Sequence, residues 1–133
     1  MNNENEFKQR GIKPIFDSSD KPVMILGSRE MLQRVIQNLV SNCLKYSSGN
    51  VIFKIEERDL VKFTVENPVS DVDQIDVEKI FDRFYKADSS RNTQGTGLGL
   101  SITKLLVEKM GASISAYAGE GFIGIRIDFT KFI

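Results

Sequence analysis

The apolar positions of this chain fall into a sequence of distinct periods. Met1 to Gln9 is polar and asparagine-rich, without a repeating apolar pattern, and reads as a tail over residues 1–10 ahead of a single domain at 11–133. Ile12 to Phe16 and Val23 to Leu26 are short apolar runs bounded by Pro, Gly, Ser and Asp, which predicts two strands joined by a turn at Asp17 to Lys21. From Ser28 the period changes. Leu32, Val35, Ile36, Leu39 and Cys43 recur at helical spacing, so Arg29 to Tyr46 is expected to form an amphipathic helix that Ser47, Ser48 and Gly49 end. Val51, Phe53 and Ile55 then alternate with polar residues, as do Val61, Phe63 and Val65. These are two half-buried strands about a turn near Arg58 and Asp59, the second closed by Pro68.

Asp76 is placed to cap a short helix through Tyr85, with Ile75 and Ile80 spaced as a hydrophobic staple. Asp88 to Gly95 is polar and small, with further glycines just beyond it, the composition of a mobile loop that carries function. A third helix is expected from about Leu98 to Met110. It sets Ile102, Leu105, Leu106 and Met110 on one face, and Gly111 suits the left-handed position after its end. Strands around Ile114 to Ala118 and Ile123 to Phe129 complete the chain. The order ββαββααββ, with strands grouped in pairs, predicts an α/β domain of the α+β kind: one mixed, mostly antiparallel sheet with the helices on one face, rather than a doubly wound parallel sheet.

Composition narrows the chemistry. The 133 residues fit one domain, and with 41% of them hydrophobic the chain can bury one core of ordinary size. Eighteen basic residues balance eighteen acidic ones, so no footprint for nucleic acid or an anionic membrane is visible, and an anionic ligand has to be held locally. The one cysteine, Cys43, has no partner for an internal disulfide and falls on the apolar stripe of the first helix, as a small core residue. No run of roughly 20 apolar residues spans a bilayer. A reducing, cytoplasmic setting is expected. There is no histidine at all, which excludes His-based triads, most zinc sites and a phosphohistidine within this chain.

Each helical residue advances about 100°, so Arg34, Asn38, Asn42 and Lys45 form one polar stripe on the first helix, with Tyr46 at its inner rim. An amide offers a hard, neutral oxygen that can take one Mg²⁺ position while water and phosphate oxygens fill the rest. Two asparagines one turn apart, followed by a lysine, suit a magnesium triphosphate; a solvated helix face is the plainer reading of the same residues. Gly95, Thr96, Gly97, Leu98, Gly99 and Leu100 stand directly before a helix. Glycines let backbone amides approach phosphate oxygens, and the helix start adds partial positive charge. No Gly-Lys-Ser/Thr follows, so this is not a P-loop. A polar loop rather than a strand precedes it, unlike a dinucleotide fingerprint.

Three stretches, in order and spacing, resemble the boxes of the GHKL ATP-binding superfamily. LQRVIQNLVSNCLKYSSG is similar to its N box, IFDRFYKADSSRN to the F box and ATP lid of its histidine kinase branch, and GTGLGLSITKLLVEKMGASI to the G2 box and the helix after it. The resemblance implies a Bergerat-type two-layer sandwich and the catalytic domain of a bacterial sensor histidine kinase, with ATP and Mg²⁺ as cofactors. It implies Asn42 as Mg²⁺ ligand, Asn38 as support for metal and phosphate, Lys45 as phosphate contact and Tyr46 as the aromatic near the base. Gly95, Thr96, Gly97, Leu98 and Gly99 would surround the triphosphate. Lys86 and Arg91 would be the lid cations that reach the terminal phosphates. Phe81 and Phe84 match the F-box aromatics, with plain core packing the alternative. The implied partners are a helical dimerisation and histidine-bearing domain of the same kinase and a downstream response regulator. The setting implied is the cytoplasmic side of a membrane-anchored sensor, without direct membrane contact by this domain.

One segment departs from the family pattern. Where relatives carry an aspartate followed by Gly-x-Gly, this chain has Val65, Glu66, Asn67, Pro68, Val69, so Asn67 takes the base-reading position with an uncharged acceptor. Near the end, Phe122 follows Gly119 and Gly121 where a threonine is common. Two other functions fit parts of the same pattern. A water-activating ATPase or anti-sigma-factor-type serine kinase of this fold carries a glutamate one turn before the metal asparagine as general base; Asn38 cannot accept that proton. A nucleotide-binding pseudokinase or docking module is suggested by the missing glycines.

Overall fold

The computed structural model describes residues 7–9, 11–18, 23–83, 85 and 99–131. Five strands, β1 (Pro14–Asp17), β2 (Val51–Glu57), β3 (Val61–Pro68), β4 (Ser113–Gly119) and β5 (Phe122–Phe129), form one sheet in the order β1-β2-β3-β5-β4. β1 pairs with β2 in parallel and the other pairs are antiparallel. The α-helices α1 (Arg29–Tyr46) and α2 (Gly99–Lys109) pack against it. A parallel neighbour needs a crossover, and α1 supplies it between β1 and β2. Mixed sheet and one-sided helices match the expected architecture.

Strand alternation fixes which side is buried. Val61, Phe63, Val65 and Asn67 of β3 share a face with their partners Phe129, Ile127, Ile125 and Ile123 of β5. Against that face lie Val35, Leu39, Cys43 and Leu44 of α1 and Val107 of α2. The opposite face carries Lys54, Glu56, Lys62, Glu66, Arg126 and Asp128, and among the described residues no helix covers it, so these form two layers with an open, charged back. On that back Tyr117 lies over Gly124, its cross-strand partner, and donates a 2.8 Å hydrogen bond to Glu66 Oε2. A Cβ at Gly124 would run into the Tyr117 ring, so only glycine admits this contact.

The helix ends are set by short-range chemistry. Ser28 Oγ accepts from the Met31 N–H at 3.3 Å and caps α1, with Glu30 in its first turn and Lys45 in its last. After α2, Gly111 takes φ +74°, and the N–H groups of Ala112 and Gly111 bond Val107 and Glu108 in the Schellman pattern. The same pattern follows the helical residues 7–9, with the N–H groups of Ile12 and Gly11 bonding Phe7 and Lys8. Phe7 and Ile12 are both buried in the main core. Packing thus starts before Gly11, within the stretch whose polarity suggested only a tail.

Three expected features take a different form. Val23 to Leu26 is not a strand: Ile25 alone bridges, to Lys131, beyond the end of β5. Val23 and Ile25 pack on the core while Met24 and Leu26 stay exposed, and the Leu26 N–H donates to the Thr130 carbonyl at 2.9 Å. The segment 77–83 is a run of turns rather than a helix, preceded by a 3₁₀ turn at Val72–Gln74. Its bonds run three residues back (Lys79 to Asp76, Asp82 to Lys79, Tyr85 to Asp82), and the Asp76 N–H donates to the Tyr85 hydroxyl. That closure and the packing of Ile75, Val77, Ile80 and Phe81 around Val69 and Ile123 hold the chain in turns. Asp76 still caps the start, accepting from the Glu78 N–H, and Ile75 joins Ile80 in one cluster. Finally, α2 is rotated from its apparent apolar face: Leu105 is 59% exposed, whereas Ser101, Thr103 and Val107 are buried.

Candidate functional site

α1 is buried along Val35, Leu39 and Cys43, which turns the flanking stripe of Asn38, Asn42, Lys45 and Tyr46 toward the margin of the core. Asn38, Asn42 and Tyr46 are half-buried and Lys45 is exposed. At the start of the stripe, Asn38 reaches α2: its Nδ2 lies 3.3 Å from Thr103 Oγ1 and 3.5 Å from the Gly99 carbonyl, to which Thr103 also donates at 2.8 Å. The first turn of α2 is thereby held beside the two asparagines, bringing its partial positive charge to them.

At the other end of the stripe, the Ser48 N–H donates to the Pro68 carbonyl at 2.8 Å, stitching the end of α1 to the end of β3. The preceding residue on each segment is a buried polar group. Asn67 is 5% exposed on the helix-side face. Ser47 Oγ is buried without a partner among the described residues. A buried polar atom left unsatisfied costs on the order of 1–3 kcal/mol, so the orphaned Ser47 hydroxyl, one residue before the Ser48–Pro68 hydrogen bond, marks a place where a polar molecule fits.

The structure therefore brings together Asn38, Asn42, Lys45, Tyr46, Asn67 and Gly99 along one side of α1. Lys86, Arg91, Gly95, Thr96, Gly97, Leu98 and the loop Asp88 to Gly95 lie outside the described residues, as does Phe84. Phe81 packs against both apolar clusters, the core-packing reading of that residue. Beneath the stripe Cys43 is 2% exposed, and burial pushes its thiol up to about 12. It is an inert core residue, as its place in the pattern indicated.

The donor set suits Mg·ATP. Asn42 has an amide that nothing engages among the described residues, Lys45 forms no ion pair among them, and no carboxylate stands among the stripe residues to repel phosphate. Among the described residues there is also no cluster of His, Cys, Asp or Glu able to hold a metal alone. A divalent cation here would share neutral amide oxygens with phosphate and water. Sequence reasoning missed Thr103 and Ser47. Thr103 looked like any polar residue within a helix, and Ser47 like a helix stop; what singles them out is burial.

Fold and site together define an ATP-binding domain of the Bergerat type. The family of histidine kinase-, DNA gyrase B- and HSP90-like ATPases matches residues 27–131. The chain belongs to that family. It is 37% identical over 130 residues to the sensor histidine kinase WalK of Bacillus subtilis, covering 92% of this chain and 21% of WalK. It is 38% identical over 115 residues to the probable sensor protein PcoS of Escherichia coli, covering 78% of this chain and 25% of PcoS. The nucleotide-free catalytic domain of the histidine kinase ThkA superposes with a TM-score of 0.77 at 26% identity, over 97% of this chain and 86% of that one. The chain thus spans only about a fifth to a quarter of the two curated relatives. Among the described residues no helix is long and apolar enough to cross a membrane.

Proposed function

We propose that this domain binds Mg·ATP along the Asn38–Tyr46 stripe and presents the γ-phosphoryl group to a histidine on a separate helical domain. The observation that carries the proposal is the amide stripe of α1 held against the first turn of α2 by the Asn38 contacts, in a chain with no histidine of its own. Asn42 would hold the cation, with Asn38 beside it. Lys45 would meet the phosphates, Tyr46 would pack near the base and Asn67 would accept from its amino group. Lys86 and Arg91, with Gly95, Thr96, Gly97 and Leu98, would complete the phosphate side. Bound Mg²⁺ would neutralise charge on the β- and γ-phosphate oxygens.

In the transfer, a histidine nitrogen of the partner domain forms a bond to the γ-phosphorus as the bond to the β,γ-bridging oxygen breaks, and ADP leaves with that electron pair. Positioning and charge stabilisation supply most of the rate, so amides, backbone N–H groups and cations suffice. Asn38 has no basic site at neutral pH, which disfavours activation of water. A response regulator would take the phosphoryl group onward, and the domain would work on the cytoplasmic face of a membrane-anchored kinase.

Titrating Mg·ATP into the domain tests the reading. Binding should depend on Mg²⁺, and Asn42→Ala should abolish that dependence; a variant that responds to the metal as the parent does would remove Asn42 from the site. A docking module or pseudokinase is the second reading, favoured by Pro68 beside the buried Asn67, and absence of nucleotide binding in the parent would select it.

A further inference from the structure

Thr103 is 0% exposed, in the second turn of α2, where an apolar residue would pack as well. Its hydroxyl has one hydrogen, which goes to the Gly99 carbonyl at 2.8 Å, so toward Asn38 it can only accept. The Gly99 carbonyl also only accepts. Both groups facing Asn38 at 3.3 and 3.5 Å therefore require the amide's NH₂ and exclude its oxygen. An amide has two ends. With its nitrogen turned to α2, Oδ1 is turned away, and among the described residues nothing donates to it. Asn42 lies one turn further along the same stripe.

We propose that Thr103 is a positioning residue that fixes the Asn38 amide so that its oxygen, not its NH₂, faces the ligand. Asn38 then acts on the cation side, ligating Mg²⁺ or accepting from its water shell, and does not donate to phosphate. The inference rests on the Mg·ATP reading above. It also ties the pose of a side chain on α1 to the first turn of α2, so movement of that turn releases the amide.

Thr103→Val keeps the β-branched shape and removes the hydroxyl; Thr103→Ser keeps the hydroxyl. Calorimetric titration of a non-hydrolysable ATP analogue, with Mg²⁺ and with chelator, is paired with NMR of the Asn38 side-chain amide. In Thr103→Val the metal-loaded affinity should fall roughly threefold to tenfold, as for one lost hydrogen bond, and the metal-free affinity by less than about twofold. The Asn38 amide protons should lose protection. Thr103→Ser should restore both, and Thr103→Val added to Asn38→Ala should change nothing further. Equal loss with and without metal, no loss at all, failure of serine to rescue, or an additive effect in the double variant overturns the proposal. A parent that binds no nucleotide under any condition overturns the Mg·ATP reading, and the NMR signal still reports separately whether Thr103 orients the amide.

Discussion

Asn67 is an uncharged acceptor in a buried position. A hydrogen bond to a charged acceptor contributes about 1.5–3 kcal/mol and a neutral one about 0.5–1.5, so Asn67→Asp should tighten ATP binding by about 1 kcal/mol, roughly fivefold. An amide can also turn its NH₂ toward a guanine oxygen that a carboxylate would repel. The aspartate variant should therefore bind GTP less well. Titration of both nucleotides into both proteins checks this, and a well-folded aspartate variant with unchanged preference would take Asn67 out of base recognition. Cys43 gives a second test. Burial raises its thiol from 9.0 to about 12, so below pH 9 both folded and unfolded chains keep the proton. As pH rises from 9 toward 12 the unfolded chain releases a proton that the fold retains, and stability falls by up to about 1.4 kcal/mol per pH unit. Urea midpoints followed across that window should decline less steeply in Cys43→Ala. Both residues were legible in the sequence because strand alternation and helical period place them. Thr103 was not: its role comes from the approach of two helices far apart in the chain, which periodicity within either cannot show.

The period located both helices, and in α1 the apolar stripe Val35, Leu39 and Cys43 is also the buried face, whereas α2 turns Leu105 outward. The elements that failed lacked an interior partner. Val23 to Leu26 is a short apolar run like a strand, yet among the described residues only Ile25 forms a bridge. The segment 76–85 has a cap and a staple, but its apolar residues serve a small side cluster that turns satisfy equally well. On the open back of the sheet the β4–β5 pair depends on a contact no pattern announces. Gly124→Ala should force Tyr117 off its place and break its bond to Glu66, for a loss of roughly 1–3 kcal/mol as for other overpacked sites. The loss should shrink when Tyr117→Ala accompanies it, because the collision is then gone. Equal effects of Gly124→Ala in both backgrounds, read from urea unfolding, would show that the ring is not what requires glycine there.

For the whole molecule, architecture and ATP-binding class were legible because three motifs recur in order along one small domain. Residues 86–98 lie outside the described residues. The chain's lack of histidine makes a sharp prediction. Incubated with Mg·[γ-³²P]ATP, the domain alone should acquire no acid-labile phosphate and show negligible turnover, and the helical histidine domain of its kinase should restore transfer. Labelling of the isolated domain, or steady hydrolysis, would contradict the scheme.

The strand order has a further consequence, for the time course of folding. β2–β3 and β4–β5 are hairpins that can close locally, but the central ladder joins them through β3 and β5, pairing Val61 with Phe129 and Pro68 with Phe122. Everything from Val69 to Gly121 must be looped out before that ladder forms, so its closure entropy comes due ahead of most of its contacts. Docking of the two hairpins is then the slow step. Truncations at the ladder, such as Val65→Ala or Ile125→Ala, should retard folding, whereas Leu44→Ala at the end of α1 should chiefly accelerate unfolding. Because the looped-out stretch contains the first turn of α2 that holds Asn38, the nucleotide pocket is assembled only after that slow step, and a nucleotide should slow unfolding far more than it speeds folding.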